Sequence, residues 1–452
     1  MFNNNFQTDI LIIGGGPAGI VCAVTARKNN HSKKIVVVRD TPKTVVPCGI
    51  PYIFHRLNLV DEDIIPDDVF VKNNIKLIID KAIKLDSKTK KVFFQSGREI
   101  IYDKLVLATG SSPVHIPIPG VDKEGVWFVK KDYTYLKKLR QAVLRSKNIV
   151  IIGGGFIGVE LADELSNIKN LNISIVEMEE RCLSKSFDKE FSQIAEEKLK
   201  QNGVKIYTGT KVLEIKGQDR VESVKTEGGK DIPADLVILS IGARPNISLA
   251  KDSKMRIGEY KGFWVDEYMR TNIEDIFAIG DCAETRDFIT SRHLPVMLSS
   301  IATSEARIAG ANLYQMRLFR KNKGTLGSFS TEIKGTVLAA TGVNEERAKK
   351  EGIEVVTGYS ESYNHHPQTL PRSELIKLKL IFFKSSGTIL GAELAGPESV
   401  SEMINILALA IQEGLTISDF DTFQISTHPL LTAAPTVYPI IMAAQSALQK
   451  ME

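Results

Sequence analysis

The sequence predicts an α/β chain built from two strand–glycine-loop–helix units, one nested within the other, followed by a smaller α+β region. Three observations carry this. Residues 9–13 and 148–152 are short apolar runs, each followed at once by G-x-G-x-x-G: Gly14, Gly16 and Gly19 in the first, Gly153, Gly155 and Gly158 in the second. Each glycine loop opens a helical pattern, residues 20–27 after the first and the stretch containing Glu160 after the second. Beyond about residue 326 no such unit recurs, and strands give way to helices at residues 399–413 and 437–448. A repeat of this kind is a stronger organisational signal than either motif alone.

In the first unit, Asp9-Ile10-Leu11-Ile12-Ile13 has the composition of a buried parallel strand. Its glycines allow a tight turn and let a helix N-terminus approach a pyrophosphate, so the unit is expected to hold a dinucleotide. The next strand is Ile35-Val36-Val37-Val38, and an acid that binds ribose should end it. Val38 and Arg39 stand there instead, with Asp40 the nearest acid. Then comes Val45-Val46-Pro47-Cys48-Gly49-Ile50-Pro51-Tyr52. In a C-x4-C redox pair the second cysteine would be at position 53, which is Ile53, so Cys48 has no local disulfide partner. Two readings stay open for it: a lone redox thiolate, or a buried structural cysteine. Pro51 suits the first turn of a helix. That places Cys48 at a helix N-terminus, where the dipole lowers a thiol pKa.

Residues 72–101 alternate polar and apolar and are expected to form antiparallel strands. A strand ending in Ala108-Thr109-Gly110 follows, and residues 111–120 read as a crossover linker. In the second unit the strand Ile173-Ser174-Ile175-Val176 ends in Glu177, nineteen residues after Gly158. That spacing suits an acid bonding both hydroxyls of a ribose, and it repels a 2′-phosphate, so NADH is expected over NADPH. Arg181 nearby keeps that preference moderate. Residues 203–230 read as strands and turns, and residues 236–242, ending in Gly242, answer the earlier Ala-Thr-Gly strand. Arg244-Pro245-Asn246 begins the return to the first domain. Asp281 follows Gly280 at the end of an apolar strand, placed to reach a ligand hydroxyl or to cap the next helix. Residues 298–315 are helical, and the basic, glycine-containing stretch 321–327 marks a domain boundary. The apolar face of residues 399–413 suggests self-association; the alternative is packing on its own sheet.

Composition narrows the class. Hydrophobic residues make up 43% and charged residues 25% of 452 positions, ordinary for a globular protein. A net charge of +4 predicts neither nucleic acid nor membrane as a partner. The four cysteines, Cys22, Cys48, Cys182 and Cys282, are far apart, which suits a reducing compartment. Residues 1–9 are polar, without a signal-type apolar run, so a cytoplasmic location is expected.

Two dinucleotide units with Ala108-Thr109-Gly110 and Ile279-Gly280-Asp281 in this order resemble the FAD-dependent pyridine nucleotide-disulfide oxidoreductases over nearly the whole chain. Pro47-Cys48-Gly49-Ile50-Pro51-Tyr52 resembles their single-cysteine branch: coenzyme A-disulfide reductases, NADH:polysulfide or persulfide reductases, and related NADH oxidases. The resemblance implies a glutathione reductase-like fold of two nested Rossmann-like domains plus a C-terminal α+β dimerisation domain. Its segments would be residues 1–116 and 246–325 for FAD, 117–245 for NAD, and 326–452 for dimerisation. Gly14, Gly16, Gly19 and Asp281 would then hold FAD, and Gly153, Gly155, Gly158 and Glu177 would hold NADH. Arg39, Thr109, Gly110 and Gly242 would also contact cofactor, Arg39 lying along the adenine or facing a phosphate. Cys48 would be the redox thiol. Lys28 and Thr44 match positions that coenzyme A-disulfide reductases use for substrate. His428 and Tyr438 are C-terminal candidates for catalysis in a homodimer, facing the partner's Cys48. No metal is expected.

The sequence also departs from the family pattern. Pro17 stands where peroxidase and oxidase relatives place a histidine. The positions of the C-terminal tyrosines fall on Leu370 or Thr369 and on Ala433, with Tyr363, His365 and His366 close by but out of register. The expected acceptor is therefore a small-molecule disulfide, persulfide or polysulfide, not coenzyme A disulfide specifically. The competing readings are an NADH oxidase and a flavin-bearing electron carrier with an inert cysteine.

Overall fold

The computed structural model describes residues 5–451 except 252, 295 and 320–323. Part of the boundary expected at 321–327 thus lies outside the described residues. The chain divides into two compact units. The first joins Met1–Ile116, Phe128–Arg145 and Ile241–Thr325; the second joins Pro117–Trp127, Ser146–Ser240 and Leu326–Glu452.

In the first unit five strands run parallel in the spatial order Lys76–Ile79, Ile35–Arg39, Asn5–Ile13, Glu99–Leu107, Ile276–Ala278. Ile10 to Ile12, Val37 and Leu105 to Leu107 are fully buried, or nearly so, as strands covered on both faces must be. Each such side chain contributes about 1.5–3 kcal/mol of apolar burial. Ile13 pairs with both Val38 and Leu107, and Leu107 pairs with Ala278, so the strand C-termini end level. Gly14, Arg39, Ala108 and Ile279 therefore emerge along one edge of the sheet, where α/β folds bind ligands. The antiparallel expectation for residues 72–101 holds only from Ala82 onward. Lys76–Ile79 instead pairs parallel with Ile35–Arg39, because a short helix, Asp68–Lys72, carries the chain back across the sheet.

The helices Pro17–Asn29 and Ser299–Asn312 pack on each other. Gly310 makes the close crossing possible: a Cβ there would lie 2.7 Å from the Cys22 carbonyl oxygen. Cys22 is consequently sealed in, and burial pushes its thiol up to about 12.

The second unit contains the parallel ladder Leu236–Leu239, Asn148–Ile152, Asn172–Val176, Lys205–Tyr207. It also holds a five-stranded antiparallel sheet in the order Ser328–Ile333, Thr336–Gly342, Ile389–Gly396, Leu375–Phe383, Val355–Tyr363. Helix Val400–Glu413 buries Val400, Ile404, Leu407 and Ile411, and packs on Thr336–Gly342 and Ile389–Gly396. That apolar face belongs to its own sheet. Ile406 and Leu409, on the other side of the helix, are exposed. No helix among the described residues is long and apolar enough to cross a membrane.

Candidate functional site

At the first glycine loop, Gly14 has φ +121°, and a Cβ on it would lie 2.0 Å from the Ala108 carbonyl oxygen. Only glycine permits that backbone and that approach. Gly16, the N-cap of helix Pro17–Asn29, has open space where a Cβ would stand, and the helix has no side-chain cap. The uncapped N–H groups and the room beside Gly16 are what a pyrophosphate requires.

Across the same edge, Asp281 accepts hydrogen bonds from Ser111 Oγ and Lys131 Nζ, each at 2.7 Å. Both fall on Oδ2, which leaves Oδ1 for a ligand hydroxyl. Thr109 and Gly110, expected to contact the cofactor, also bind the returning chain. Thr109 Oγ1 donates to the Asn246 carbonyl at 2.7 Å, Asn246 Nδ2 returns a bond to the Thr109 carbonyl, and Asn246 N–H bonds the Gly110 carbonyl. They clasp the chain where it returns, and Gly242 joins the same region by accepting from Val114 N–H.

Arg39, expected along the adenine or facing a phosphate, is engaged within the protein. Its guanidinium is buried and makes five hydrogen bonds within the protein: to the Thr41 and Pro42 carbonyls, to Thr44 Oγ1, and bidentately to Asp67 at 2.6 and 2.7 Å. All five donors are spent, so none is offered to a phosphate. Thr44 is likewise engaged, donating to the Gly15 carbonyl at 3.1 Å while accepting from Arg39. It is a strut between the glycine loop and the Cys48 segment. Lys28 stands exposed in the last turn of its helix, eleven residues past Pro17 and about 16 Å along the axis from the glycine loop.

Cys48 is the exposed cysteine; Cys22, Cys182 and Cys282 are buried. Burial raises the thiols of the last two as well, Cys182 to about 12. Cys48 lies in a 3-10 helix, Pro47–Phe54, opened by Pro47 and capped by Val46. Pro51 is therefore inside the helix and not at its start, and it interrupts the i+3 ladder at the Cys48 carbonyl. Arg140 Nε, donating to the Ile53 carbonyl at 2.8 Å, secures the far end. The stronger helix terminus comes from elsewhere. Cys48 Sγ is 3.4 Å from Ser299 Oγ, on the first residue of the fourteen-residue helix Ser299–Asn312, which has no side-chain cap. That opening turn supplies a field suited to an anionic sulfur.

Asp63, which the sequence did not single out, presses on the same turn. A Cβ on Gly49 would meet Asp63 Oδ1 at 1.8 Å, and Val46 N–H bonds the Asp63 carbonyl. Asp63 is 3% exposed and its Oδ2 has no hydrogen-bond partner among the described residues. Burial pushes its carboxyl up to about 6. A carboxyl with a raised folded-state pKa binds its proton more tightly folded than unfolded, so stability falls as pH rises through that window. Between pH 4.5 and 7.5 the wild type should lose up to about 2 kcal/mol relative to Asp63→Asn. Chemical denaturation of both proteins at the two pH values checks this; parallel stability curves contradict it.

The second glycine loop repeats the first. Gly153 has φ +110° with a would-be Cβ 2.6 Å from the Ser240 carbonyl oxygen, and Gly155 has open space. Glu177 accepts from Glu179 N–H at 2.8 Å through Oε1 and from Gly154 N–H at 2.5 Å through Oε2. These bonds hold the carboxylate at the loop, and each oxygen keeps lone-pair capacity for a ribose hydroxyl.

The sequence profile of the pyridine nucleotide-disulphide oxidoreductases matches residues 8–306. The chain belongs to that family. The profile of the family's dimerisation domain matches residues 333–437. A Pyrococcus horikoshii NAD(P)H coenzyme A polysulfide/persulfide reductase is 33% identical over 448 residues, covering 98% of both chains. A Methanocaldococcus jannaschii NADH oxidase is 31% identical over 453 residues, covering 98% of this chain and 99% of the other. The structure of an NAD-dependent persulfide reductase from A. fulgidus superposes with a TM-score of 0.91 at 31% identity, over 98% of this chain and 83% of that one. This chain is thus an NAD(P)H-dependent oxidoreductase with two dinucleotide-binding domains and a C-terminal dimerisation domain. The family implies FAD and NAD(P)H, and the two open glycine loops fit them.

In this oxidoreductase the C-terminal candidates belong to the second unit. His428 is exposed and closes its own turn, its Nδ1 accepting from Leu430 N–H at 3.2 Å and its backbone N–H bonding Thr432 Oγ1. His366 braces that turn, with Nδ1 3.0 Å from the Thr432 carbonyl and its N–H on the Pro429 carbonyl. Tyr438 is the N-cap of helix Pro439–Leu448, and burial raises its phenol pKa. Five residues that the sequence reading passed over, Asp63, Asp67, Lys131, Ser299 and Glu346, each touch a residue it named. All lie far along the chain from those partners, and no local pattern marks them.

Proposed function

We propose that the protein is an FAD-dependent NADH oxidoreductase that reduces a sulfur–sulfur bond in a small acceptor, a persulfide, polysulfide or coenzyme A disulfide, through Cys48 alone. The observation that carries this is the exposed Cys48 sulfur at the uncapped first turn of Ser299–Asn312, on the same sheet-edge side as a glycine loop suited to FAD, with the other three cysteines buried. FAD, when bound, supplies the two electrons taken from NADH. The Cys48 thiolate attacks one sulfur of the acceptor, the S–S bond breaks, one thiol or hydrosulfide leaves with a proton, and a mixed disulfide remains on Cys48. Two electrons and a proton then release the second thiol and restore Cys48. Ser299 Oγ, 3.4 Å from the sulfur, would steady its anion.

Glu177 would bond both free ribose hydroxyls of NADH and repel a 2′-phosphate. Homodimerisation through the C-terminal domain would bring His428 and Tyr438 toward the partner's Cys48. The test is NAD(P)H oxidation with a panel of acceptors: persulfide, polysulfide, coenzyme A disulfide, glutathione disulfide and oxygen. NADH should exceed NADPH in kcat/KM by about tenfold or more, with Glu177→Ala narrowing the gap. At least one low-molecular-weight sulfur acceptor should outpace oxygen. A protein that prefers NADPH, or turns over only with oxygen, would refute these parts in turn. The second outcome is the NADH oxidase reading, favoured by the Methanocaldococcus jannaschii relative.

A further inference from the structure

Glu177 is one half of the charge balance at the second glycine loop. Four residues further on stands Arg181, the residue type that accommodates a 2′-phosphate when it lies beside this acid. The backbone keeps it in the neighbourhood. Leu183 N–H bonds the Gly154 carbonyl at 2.9 Å, and a Cβ on Gly154 would lie 2.8 Å from Cys182 Sγ and 3.1 Å from Glu177 Cβ. Arg181 thus adjoins a residue packed against the base of Glu177.

Its guanidinium, however, is committed elsewhere. Nη2 donates to both carboxylate oxygens of Glu346, at 2.6 and 2.8 Å, and Nε donates to Ser192 Oγ at 3.2 Å. The arginine side chain is 14% exposed in this arrangement. A second acid, Glu180, lies 3.8 Å away and is almost fully exposed. Glu346 is itself fixed. Asp188 accepts from the N–H groups of both Glu345 and Glu346 at 3.0 Å, and the Asp188 carboxylate is held by the buried Lys379 ammonium at 2.8 Å. Lys379 also bonds Glu190 and Glu345, so a ring of charge sets the first turn of helix Glu345–Glu351 against the 181–192 segment.

We propose that Glu346 determines nicotinamide cofactor choice by withholding Arg181 from the 2′ position of the adenosine ribose. The site then discriminates against a 2′-phosphate twice: Glu177 repels it, and Arg181, four residues further on, is occupied by Glu346. The inference rests on the second glycine loop being the NAD(P)H site.

The probe is 2′,5′-ADP, titrated calorimetrically into the FAD-loaded protein beside 5′-ADP. Glu346→Ala should bind 2′,5′-ADP about tenfold more tightly than wild type, with 5′-ADP affinity changed less than about twofold. Glu346→Gln, which keeps the shape of the contact and removes its charge, should shift in the same direction. Adding Arg181→Ala to Glu346→Ala should erase the gain. An unchanged 2′,5′-ADP affinity in both Glu346 variants, or a gain that survives loss of Arg181, overturns the proposal. If wild type binds no 5′-ADP in competition with NADH, it is the assignment of the loop that fails instead.

Discussion

Cys48→Ser is expected to lower turnover with every sulfur acceptor by roughly a thousandfold or more, the scale on which removal of a nucleophile acts. Serine keeps the size of the side chain and its contact with Ser299 Oγ, so the 3-10 helix Pro47–Phe54 should remain intact. What it removes is a sulfur that can form and release a disulfide; a hydroxyl has no equivalent chemistry at neutral pH. NADH oxidation with an artificial dye as acceptor should stay within about twofold, since that route needs the glycine loops and not the thiol. The two assays together separate a lost nucleophile from a damaged fold. The outcome that sinks the assignment is normal turnover of Cys48→Ser with persulfide, polysulfide and coenzyme A disulfide. Loss of oxygen reduction along with sulfur reduction would instead point to a Cys48 sulfenic acid cycle and the oxidase reading.

A second pair of substitutions should divide the two dinucleotide sites. Gly14→Ala places a Cβ 2.0 Å from the Ala108 carbonyl oxygen at φ +121°, and Gly153→Ala places one 2.6 Å from the Ser240 carbonyl oxygen at φ +110°. A strained residue of this kind costs about 1–3 kcal/mol before any clash is counted, and about 1.4 kcal/mol is tenfold in binding. Gly14→Ala should therefore bind FAD about tenfold or more weakly than wild type and lose flavin during purification. Gly153→Ala should stay yellow while its KM for NADH rises by about tenfold or more. Flavin content is read from absorbance after gel filtration, and the NADH effect from initial rates with a dye acceptor. Stoichiometric flavin in Gly14→Ala, or an unaltered KM in Gly153→Ala, would show that the loop in question does not hold its expected ligand.

Local chemistry made the frame of this protein legible. Strand Asn5–Ile13 and strand Asn148–Ile152 are continuous apolar runs because both faces of a parallel strand are covered. The glycines after them are demanded by backbone angles and close approaches that no other residue tolerates. Glu177 could be named from spacing alone because a strand, a turn and a helix have fixed lengths. The singularity of Cys48 needed only the absence of a cysteine at position 53.

Long-range partners decided the rest. Arg39 and Thr44 look free in the sequence, yet Asp67 and Gly15 take up their hydrogen-bonding groups. A charged group that enters the interior must be paired there, and its partner can come from any point on the chain that folding brings close. Pro51 suits the first turn of an α-helix, but Pro47 opens a 3-10 helix earlier and leaves Pro51 inside it. The helix terminus beside Cys48 belongs to Ser299, 251 residues away. The sequence by itself determined where two glycine loops and a cysteine without a local partner stand, since those rest on backbone geometry and side-chain identity. Only the tertiary structure decided which charges are free to meet a ligand, because a salt bridge such as Arg181–Glu346 joins residues 165 positions apart and leaves no local trace.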